Sequence, residues 1–488
     1  MQAIALNALD QAVARGADYA DVRVVERRVE DLWVKNGRPE RIGTAEDLGL
    51  SVRVLYHGAW GLAATSDLGG DSLAAAAARA LEIATASARV QSGATWLPPR
   101  PGEVGAYATE MEQDPFAVPL EERLALLAGC CEAMQQRPSV RVAQAHMSLF
   151  REKKWFVSSE GSKLEQLIVE NGGRIMATAV GDDGVFQRRS FENHAQGGYE
   201  FLLSLDLPAQ AERCAAEAEA LLTAPVCPSG PRTVILGSSI LALQVHESCG
   251  HPVELDRALG SEASYAGTSF MTVDQLGLLQ YGSPVVNITA DATLPGGLGT
   301  FGWDDEGTPA EAFPVIREGR FVNYLTSRET AWWLAHNHAP TCPVPPLPFS
   351  NGTMRADGWG HLPLIRMTNI SLEPGERTWD ELLADSDGAL FLDTPKSWSL
   401  DDKRLNFHFG TEAAYEIEGG RLGRMLRDAS YTDRTPRFWN SCDAVCDGDR
   451  WQLWGLPSCA KGEPMQIAHV AHGAAPARFR EVQVRGGG

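Results

Sequence analysis

Apolar residues recur at helical spacing in four stretches of the first half of the chain. These stretches are residues 2–15, 71–90, 120–136 and 208–223. Because apolar positions three and four apart share one face of a helix, each stretch predicts a helix. The first half therefore contains helices that can cover a sheet.

The segments between these helices predict strands and tight turns. Alternate apolar positions in residues 20–26 predict a strand. The pairs Asn36-Gly37 and His57-Gly58 predict hairpin turns, since both pairs tolerate a left-handed backbone. Residues 139–204 hold at least four strand-like runs, and the last of them reads YEFLLSL. A small antiparallel sheet is the expected result.

Helix ends and connections follow from local residue types. Gly16 is the expected end of the first helix, and Asp71 or Ser72 is the expected N-cap of the second. Residues 94–118 are rich in proline and glycine and predict a connecting loop.

The second half begins with a proline-rich boundary at residues 224–231. A strand, RTVILG, follows it, and Ser238 or Ser239 is expected to cap the helix ILALQVHESCG. The chain beyond is rich in strands and turns. Residues 331–352 contain many prolines and predict an irregular loop.

These patterns predict an α+β fold with two domains. Residues 1–223 are expected to form a mixed α/β N-terminal domain with an antiparallel sheet. Residues 224–488 are expected to form a β-rich C-terminal domain that carries the helix ILALQVHESCG. A chain of 488 residues is too long for one ordinary core, which agrees with a division.

Composition excludes several classes of protein. A net charge of −20 argues against binding to nucleic acids or anionic membranes. No apolar run approaches the roughly 18 residues that a membrane helix needs, and the N-terminus lacks the pattern of a secretory signal. Nine scattered cysteines argue against a disulfide framework, so we expect a cytoplasmic protein.

Residues 245–256, VHESCGHPVELD, carry the candidate chemistry. His246 and His251 offer two imidazoles for a metal, and the carboxylate of Glu247 could handle protons there. A step of five residues rotates about 140° on an ideal helix, so a broken or bulged helix is needed. Gly250 and Pro252 favour such a helix end. From the motif alone, a metal site and two structural histidines are equally good interpretations.

A catalytic zinc needs a third protein ligand. Glu254 and Asp256 are candidates because they follow the motif closely. Cys459 is another, since it lies in a segment, WGLPSCAKGEP, that is expected to be a loop. Cys249 is expected to point away from the metal. Ordinary thiols or surface and structural histidines are expected at Cys442, Cys446, His469 and His472.

Several motifs in order resemble one family. They are GADYADVRVVER, VKNGRPERI, GLSVRVLYHGAWGLAATSD, VHESCGHPVELD, DDEGTP, IRMTN, EAAYEIEGGR and the segment around Cys459. Together they resemble the TldD/PmbA family of zinc metalloproteases, and the resemblance covers nearly the whole chain.

The resemblance implies a role for each residue of the candidate site. His246, His251 and Cys459 match the three zinc ligands of the family, and Glu247 matches its general base. Ala460 stands where the family commonly has glycine.

The implied activity is that of a zinc metallopeptidase. Glu247 would activate a zinc-bound water to hydrolyse unfolded or leader-type peptides. The intact motif resembles the active TldD-like subunit, which forms a homodimer or a heterodimer with a related subunit that lacks the motif.

Two alternatives stay open at this point. The chain could be a catalytically silent peptide-binding partner in a TldD/TldE-type complex, or a metal enzyme of another reaction type. The turn formed by Asp304, Asp305 and Glu306 could position substrate, but we favour a role in shaping the loop.

Overall fold

The computed structural model describes residues 1–91, 93–337 and 348–487. Within these ranges, no helix combines the length and the apolar character needed to cross a membrane.

The first half contains five helices and seven strands within the described residues. The helices are α1 (Gln2–Val13), α2 (Gly70–Ala88), α3 (Leu120–Gln135), α4 (Tyr199–Ser204) and α5 (Leu207–Thr223). The strands are β1 (Tyr19–Lys35), β2 (Arg38–Tyr56), β3 (Ala59–Thr65), β4 (Val104–Ala108), β5 (Val140–Ser158), β6 (Lys163–Val180) and β7 (Phe186–Gln196).

These strands form one sheet in the order β3-β2-β1-β5-β6-β4, and β7 also pairs with β6. The pairings are antiparallel except for β4 with β6. Both predicted hairpin turns are confirmed: Asn36 and Gly37 have φ angles of 50° and 74°, and His57 and Gly58 have 49° and 74°. Two consecutive left-handed residues match the right-handed twist of the flanking strands.

The long strand β1 connects two hydrophobic cores. Ala20, Val22 and Val24 pack in a core with α1 and α2. Leu32 and Val34 pack in a second core with α3 and α5. One sheet is therefore covered by two separate helix layers.

The second half contains five α-helices and fifteen strands within the described residues. The helices are α6 (Ser238–Val245), α7 (Leu255–Ala258), α8 (Arg328–Asn337), α9 (Trp379–Ala384) and α10 (Thr435–Asn440). The strands are β8 (Gly230–Leu236), β9 (Ile288–Asp291), β10 (Ala312–Arg317), β11 (Arg320–Phe321), β12 (Met354–Arg355), β13 (Leu364–Ile365), β14 (Asn369–Leu372), β15 (Leu390–Leu400), β16 (Asn406–Glu418), β17 (Arg421–Leu426), β18 (Ala429–Arg434), β19 (Cys442–Val445), β20 (Gln452–Lys461), β21 (Gln466–Ala474) and β22 (Ala477–Gly486).

Two large sheets dominate this half. One has six strands in the order β11-β10-β9-β14-β21-β20, and the other follows β15-β8-β22-β18-β16-β17 with β19 beside β22. Helix α6 contacts β15 of one sheet and β14, β20 and β21 of the other. Six of its eight residues are buried, as expected for a helix enclosed by two sheets. The predicted α+β fold class, with a β-rich second half, is confirmed.

Two predicted segments have a different structure. YEFLLSL, predicted as a strand, is mostly helix α4, which buries Tyr199 and Leu202 three positions apart. The start of the predicted loop 331–352 belongs to helix α8, which buries Ala331 and Leu334 at the same spacing. In both segments a short helical pattern outweighs the strand-like or proline-rich surroundings. Residues 338–347 of that predicted loop lie outside the described residues.

Other differences concern edges and caps. The predicted loop 94–118 contains β4, an edge strand whose alternate residues are exposed, so it has little apolar signal. Gly69 and Gly237 are the N-caps of α2 and α6. The predicted caps at Asp71 or Ser72 and at Ser238 or Ser239 are therefore wrong by one or more positions.

Candidate metal centre

The helix that carries the histidine motif widens at the motif. Helix α6 ends at Val245, and residues 246–250 form a π-helical turn. The amide of His251 donates to the carbonyl of His246 at 3.2 Å, which is the i to i+5 bond of a π-helix. The wider turn places the two rings together, with centroids 4.8 Å apart. The expected bulged helix is therefore present.

Cys459 approaches the two histidines from the edge of the six-stranded sheet. One ligand atom from each of His246, His251 and Cys459 lies within 4.8 Å of the others, and all three residues are buried. The Cys459 Sγ lies 3.8 Å from the Nε2 of His251. The sequence predicted a loop here, but Cys459 lies on strand β20. A register shift between Leu456 and Cys459 sets the direction of the thiol.

His472 and Glu254 determine which ring nitrogens face the site. The Nδ1 of His472 lies 2.8 Å from the carbonyl oxygen of Ile370, so that nitrogen carries the proton. Its Nε2 then accepts from the Nδ1 of His246 at 2.7 Å. The Nδ1 of His251 donates to the carboxylate of Glu254 at 3.0 Å. Both histidines of the motif thus keep an unprotonated Nε2, and that of His251 faces Cys459.

The structure gives other roles to the acidic candidates for a third ligand. The Lys461 ammonium lies 2.8 Å from Asp256 and 3.4 Å from Glu254. It also lies 3.8 Å from Glu262. Its side chain is 1% exposed, so these carboxylates compensate a buried charge. Because Glu254 also accepts the Nδ1 proton of His251, its role here is to orient that ring.

Glu247 lies beside the histidines and is buried. Burial raises the pKa of its carboxyl group above the ordinary value, although the charge of Arg404 opposes this. The Arg404 guanidinium donates to the carboxylate of Glu247. Arg404 could not be identified from the sequence, since a single arginine in a turn has no recognisable pattern.

The thiol of Cys459 lies near a buried arginine, Arg366. Burial raises the pKa of Cys459, and the charge of Arg366 opposes this. Arg366 also donates to the carbonyl oxygen of Cys459 at 2.5 Å. The charge of Arg366 therefore offsets part of the cost of burying a thiolate at this position.

Cys249, Cys442, Cys446 and His469 lie outside this cluster. Cys249 is part of the hydrophobic core, and burial raises the pKa of its thiol. Cys442 and Cys446 are buried free thiols. His469 contacts Glu170. His472 is 2% exposed, so of the two expected interpretations, surface or structural, the structural one agrees with its position.

Ala460 fits the strand without strain. It pairs with Ile467 in the ladder between β20 and β21, and its side chain is exposed. A methyl group is therefore tolerated at this position, and Lys461 keeps its buried contacts.

The acidic turn at residues 304–306 has a structural role. The Asp304 carboxylate accepts three backbone amides, from Glu306, Thr308 and Met354. Asp305 lies 2.8 Å from Lys154 of β5. The turn thus shapes its own loop and joins the two halves of the chain, as favoured from the sequence.

A cavity of about 690 Å³ opens beside the site. Its lining includes Trp398, Trp454, Leu456, Ser458 and His472. It follows strand β20 and reaches His472, which contacts His246. A volume of this size suits a peptide segment rather than a single small ion.

The donor set itself fits zinc. Two imidazole nitrogens and one thiolate are donors that zinc binds, and catalytic zinc sites take three protein ligands. Among the described residues, no other group of three histidine, cysteine or acidic side chains is arranged to hold a metal.

Three domains of one metallopeptidase family match this chain, and together they cover most of it. Residues 20–84 match domain 1 of the PmbA/TldA metallopeptidases, residues 113–222 match the central domain, and residues 229–486 match the C-terminal domain.

Individual relatives have low sequence identity to this chain, but the matches extend over more than half of its length. A metalloprotease of Methanocaldococcus jannaschii is 27% identical over 88% of this chain and 89% of its own. A zinc metalloprotease TldD homolog of Saccharolobus solfataricus is 21% identical over 53% of this chain and 52% of its own. The crystal structure of TldE from Thermococcus kodakarensis superposes with a TM-score of 0.77 at 16% identity, over 99% of this chain and 100% of that one.

Proposed function

Because this chain belongs to the TldD/PmbA family of metallopeptidases, we propose that it is a zinc-dependent metallopeptidase. We propose His246, His251 and Cys459 as the zinc ligands and Glu247 as the general base. The observation that carries the proposal is the convergence of three ligand atoms within 4.8 Å. Curated relatives that are metalloproteases support a protease, and one of them is named a zinc metalloprotease.

The residues of the site suit peptide hydrolysis. Zinc would supply a Lewis acid that polarises the peptide carbonyl and increases the acidity of water. The Glu247 carboxylate would take a proton from the attacking water and pass it to the leaving amine. His472 and Glu254 would hold the ligand rings in place through their Nδ1 atoms.

The cavity supports a peptide as the substrate. It lies along β20, the edge strand of its sheet, and an edge strand can pair with the main chain of an extended peptide. Pairing through the main chain needs little from the side chains. We therefore propose unfolded or leader-type peptides as the substrate class.

The assembly and the domain division are also proposals. The likeness to a TldE fold supports a homodimer or a heterodimer with a related subunit that lacks the motif. We keep the division at residues 223 and 224, because strands β1 to β7 form a sheet of their own. A cytoplasmic location is supported by the cysteines, since all eight among the described residues are unpaired.

The alternative function is a catalytically silent peptide-binding partner in a TldD/TldE-type complex. His472 and Glu254 hydrogen-bond to the two proposed ligand histidines. These bonds favour the active subunit, since a silent copy does not need oriented ligands.

Elemental analysis with a cleavage assay tests the proposal. The wild type should contain about one zinc per chain and should cleave a quenched-fluorescence library of unstructured peptides. Cys459→Ala should lose both zinc and cleavage. Cys446→Ala, which changes another buried free thiol, should keep both. A wild type that binds no zinc would overturn the proposal.

A further inference from the structure

The guanidinium of Arg404 reaches into the candidate active site. It donates through Nη1 to Oε2 of Glu247, and its side chain is 20% exposed. Within the part of the chain that the structure describes, this is the only hydrogen bond made by the Arg404 side chain. A guanidinium carries five N–H donors, so several of them are available to another oxygen.

A rigid turn holds the backbone of Arg404. The turn joins β15 to β16, and Arg404 adopts a left-handed φ of 62° there. Its amide donates to the carbonyl of Asp401 at 2.9 Å, and its carbonyl accepts from the hydroxyl of Thr435 at 2.9 Å. The Asp401 carboxylate also accepts the amide of Leu405 at 2.8 Å. A left-handed arginine is costly, so these bonds keep a conformation that the residue alone would avoid.

The same turn is attached to the segment that follows the histidine motif. The amide of Thr268 donates to the carbonyl of Asp402, and the amide of Phe270 donates to the carbonyl of Lys403, each at 3.0 Å. The guanidinium of Arg257 donates to the Asp402 carbonyl at 3.1 Å. These backbone and side-chain hydrogen bonds therefore fix the position of the turn relative to the site.

From this geometry we propose that Arg404 is a further catalytic residue that stabilises the oxyanion formed during peptide hydrolysis. The proposal rests on the proposed function. Before the reaction, the guanidinium pairs with the negative carboxylate of Glu247. When Glu247 takes a proton it becomes neutral, and negative charge appears on the carbonyl oxygen instead. The donors of Arg404 then bind a stronger acceptor in the transition state than in the ground state, which is what accelerates a reaction.

The step balances in atoms and charge. The water oxygen forms a bond to the carbonyl carbon, its proton moves to the Glu247 carboxylate, and the π electron pair moves to the carbonyl oxygen. Arg404 donates to that oxygen. On collapse the C–N bond breaks, its electron pair stays on nitrogen, and the proton from Glu247 completes the amine.

Arg404→Ala and Arg404→Lys test the proposal, and Lys403→Ala is the matched control on the same turn. We expect Arg404→Ala to lower kcat by about 100–1000-fold, as for loss of one oxyanion donor. KM should stay within about threefold of wild type, because uniform binding is retained. Zinc content and the visible spectrum of the cobalt-substituted protein should be unchanged, and Lys403→Ala should behave like the wild type.

Inhibitor binding separates this role from simple positioning of Glu247. A phosphinic peptide, whose tetrahedral oxygens mimic the oxyanion, should bind Arg404→Ala more weakly in proportion to the loss in kcat/KM, whereas the product peptides should bind equally well. Added methylguanidinium should restore part of the activity of Arg404→Ala but not of Glu247→Gln.

Unchanged phosphinic-peptide affinity in Arg404→Ala would overturn the proposal, and so would loss of zinc from that variant. If the wild type contains zinc but cleaves no peptide, the proposed function fails, and this result differs from a defect confined to Arg404 variants.

Discussion

The Nδ1 of His246 lies 2.7 Å from the Nε2 of His472. His472 donates its own proton to the carbonyl of Ile370, and burial lowers the pKa of His472 to about 4. His472 is therefore neutral near pH 7 and accepts the proton of His246. This contact leaves the Nε2 lone pair of His246 free to bind a metal.

Replacement of His472 should weaken zinc binding. His472→Phe removes the acceptor and leaves a buried N–H of His246 unpaired, so zinc affinity should fall by about 10–100-fold. His472→Gln keeps a carbonyl oxygen as an acceptor and should lose less. Competition with a chromogenic chelator measures both affinities. His336→Gln, on the exposed end of α8, is the control, and equal affinity in all three variants would contradict the assigned role.

Lys461 should be far more important for stability than a surface lysine in an ion pair. Lys461→Met leaves the carboxylates of Glu254, Asp256 and Glu262 without their buried cation, and loss of one partner of a buried pair costs about 3–5 kcal/mol. Lys396 pairs with Asp428 at 3.6 Å but is 42% exposed, so Lys396→Met should cost less than about 1 kcal/mol. Urea unfolding of both variants measures the difference. Equal destabilisation would mean that the buried carboxylates are not held by Lys461.

The acid dependence of stability should involve Glu152. Burial would raise the pKa of this carboxyl, but the charges of Lys154 and Arg27 outweigh burial and lower the pKa to about 2. A folded-state pKa below the unfolded value stabilises the fold above the unfolded pKa, and this contribution is lost as the pH falls toward 2.

Glu152→Gln should therefore destabilise the protein most at neutral pH. The difference in unfolding free energy between wild type and variant should shrink as the pH is lowered through about 4 toward 2. Urea unfolding across this range measures it. Glu165→Gln, which removes the partner of Lys153 in a more exposed pair, is the control and should show a smaller change. A difference independent of pH would contradict the assignment.

The sequence could predict the elements and residues whose signals are local. The five-residue step from His246 to His251 required a widened helix, and the π-helical turn provides it. The alternating apolar positions and the turn residues at Asn36-Gly37 and His57-Gly58 predict the hairpins, because these signals are also local. The prediction that Cys459 joins the two histidines rests on the family resemblance and not on residue spacing.

The remaining features depend on contacts that sequence patterns do not encode. His472 lies 226 positions from His246, and their contact depends on how β21 packs against α6. Likewise, Arg404 reaches Glu247 only because a turn between β15 and β16 is attached to the segment after the motif. The segment around Cys459 predicts a loop, since Pro457 and the nearby glycines conceal the pattern of a bulged edge strand.

The most direct measurement of the central claim compares wild type with Glu247→Gln, both loaded with zinc. The variant should bind zinc as the wild type does, since the glutamine keeps the size of the side chain and Glu247 is not among the proposed ligands. Its hydrolysis of unstructured peptides should fall by at least about 100-fold, because the general base is lost. Equal hydrolysis by the two zinc-loaded proteins would contradict the account.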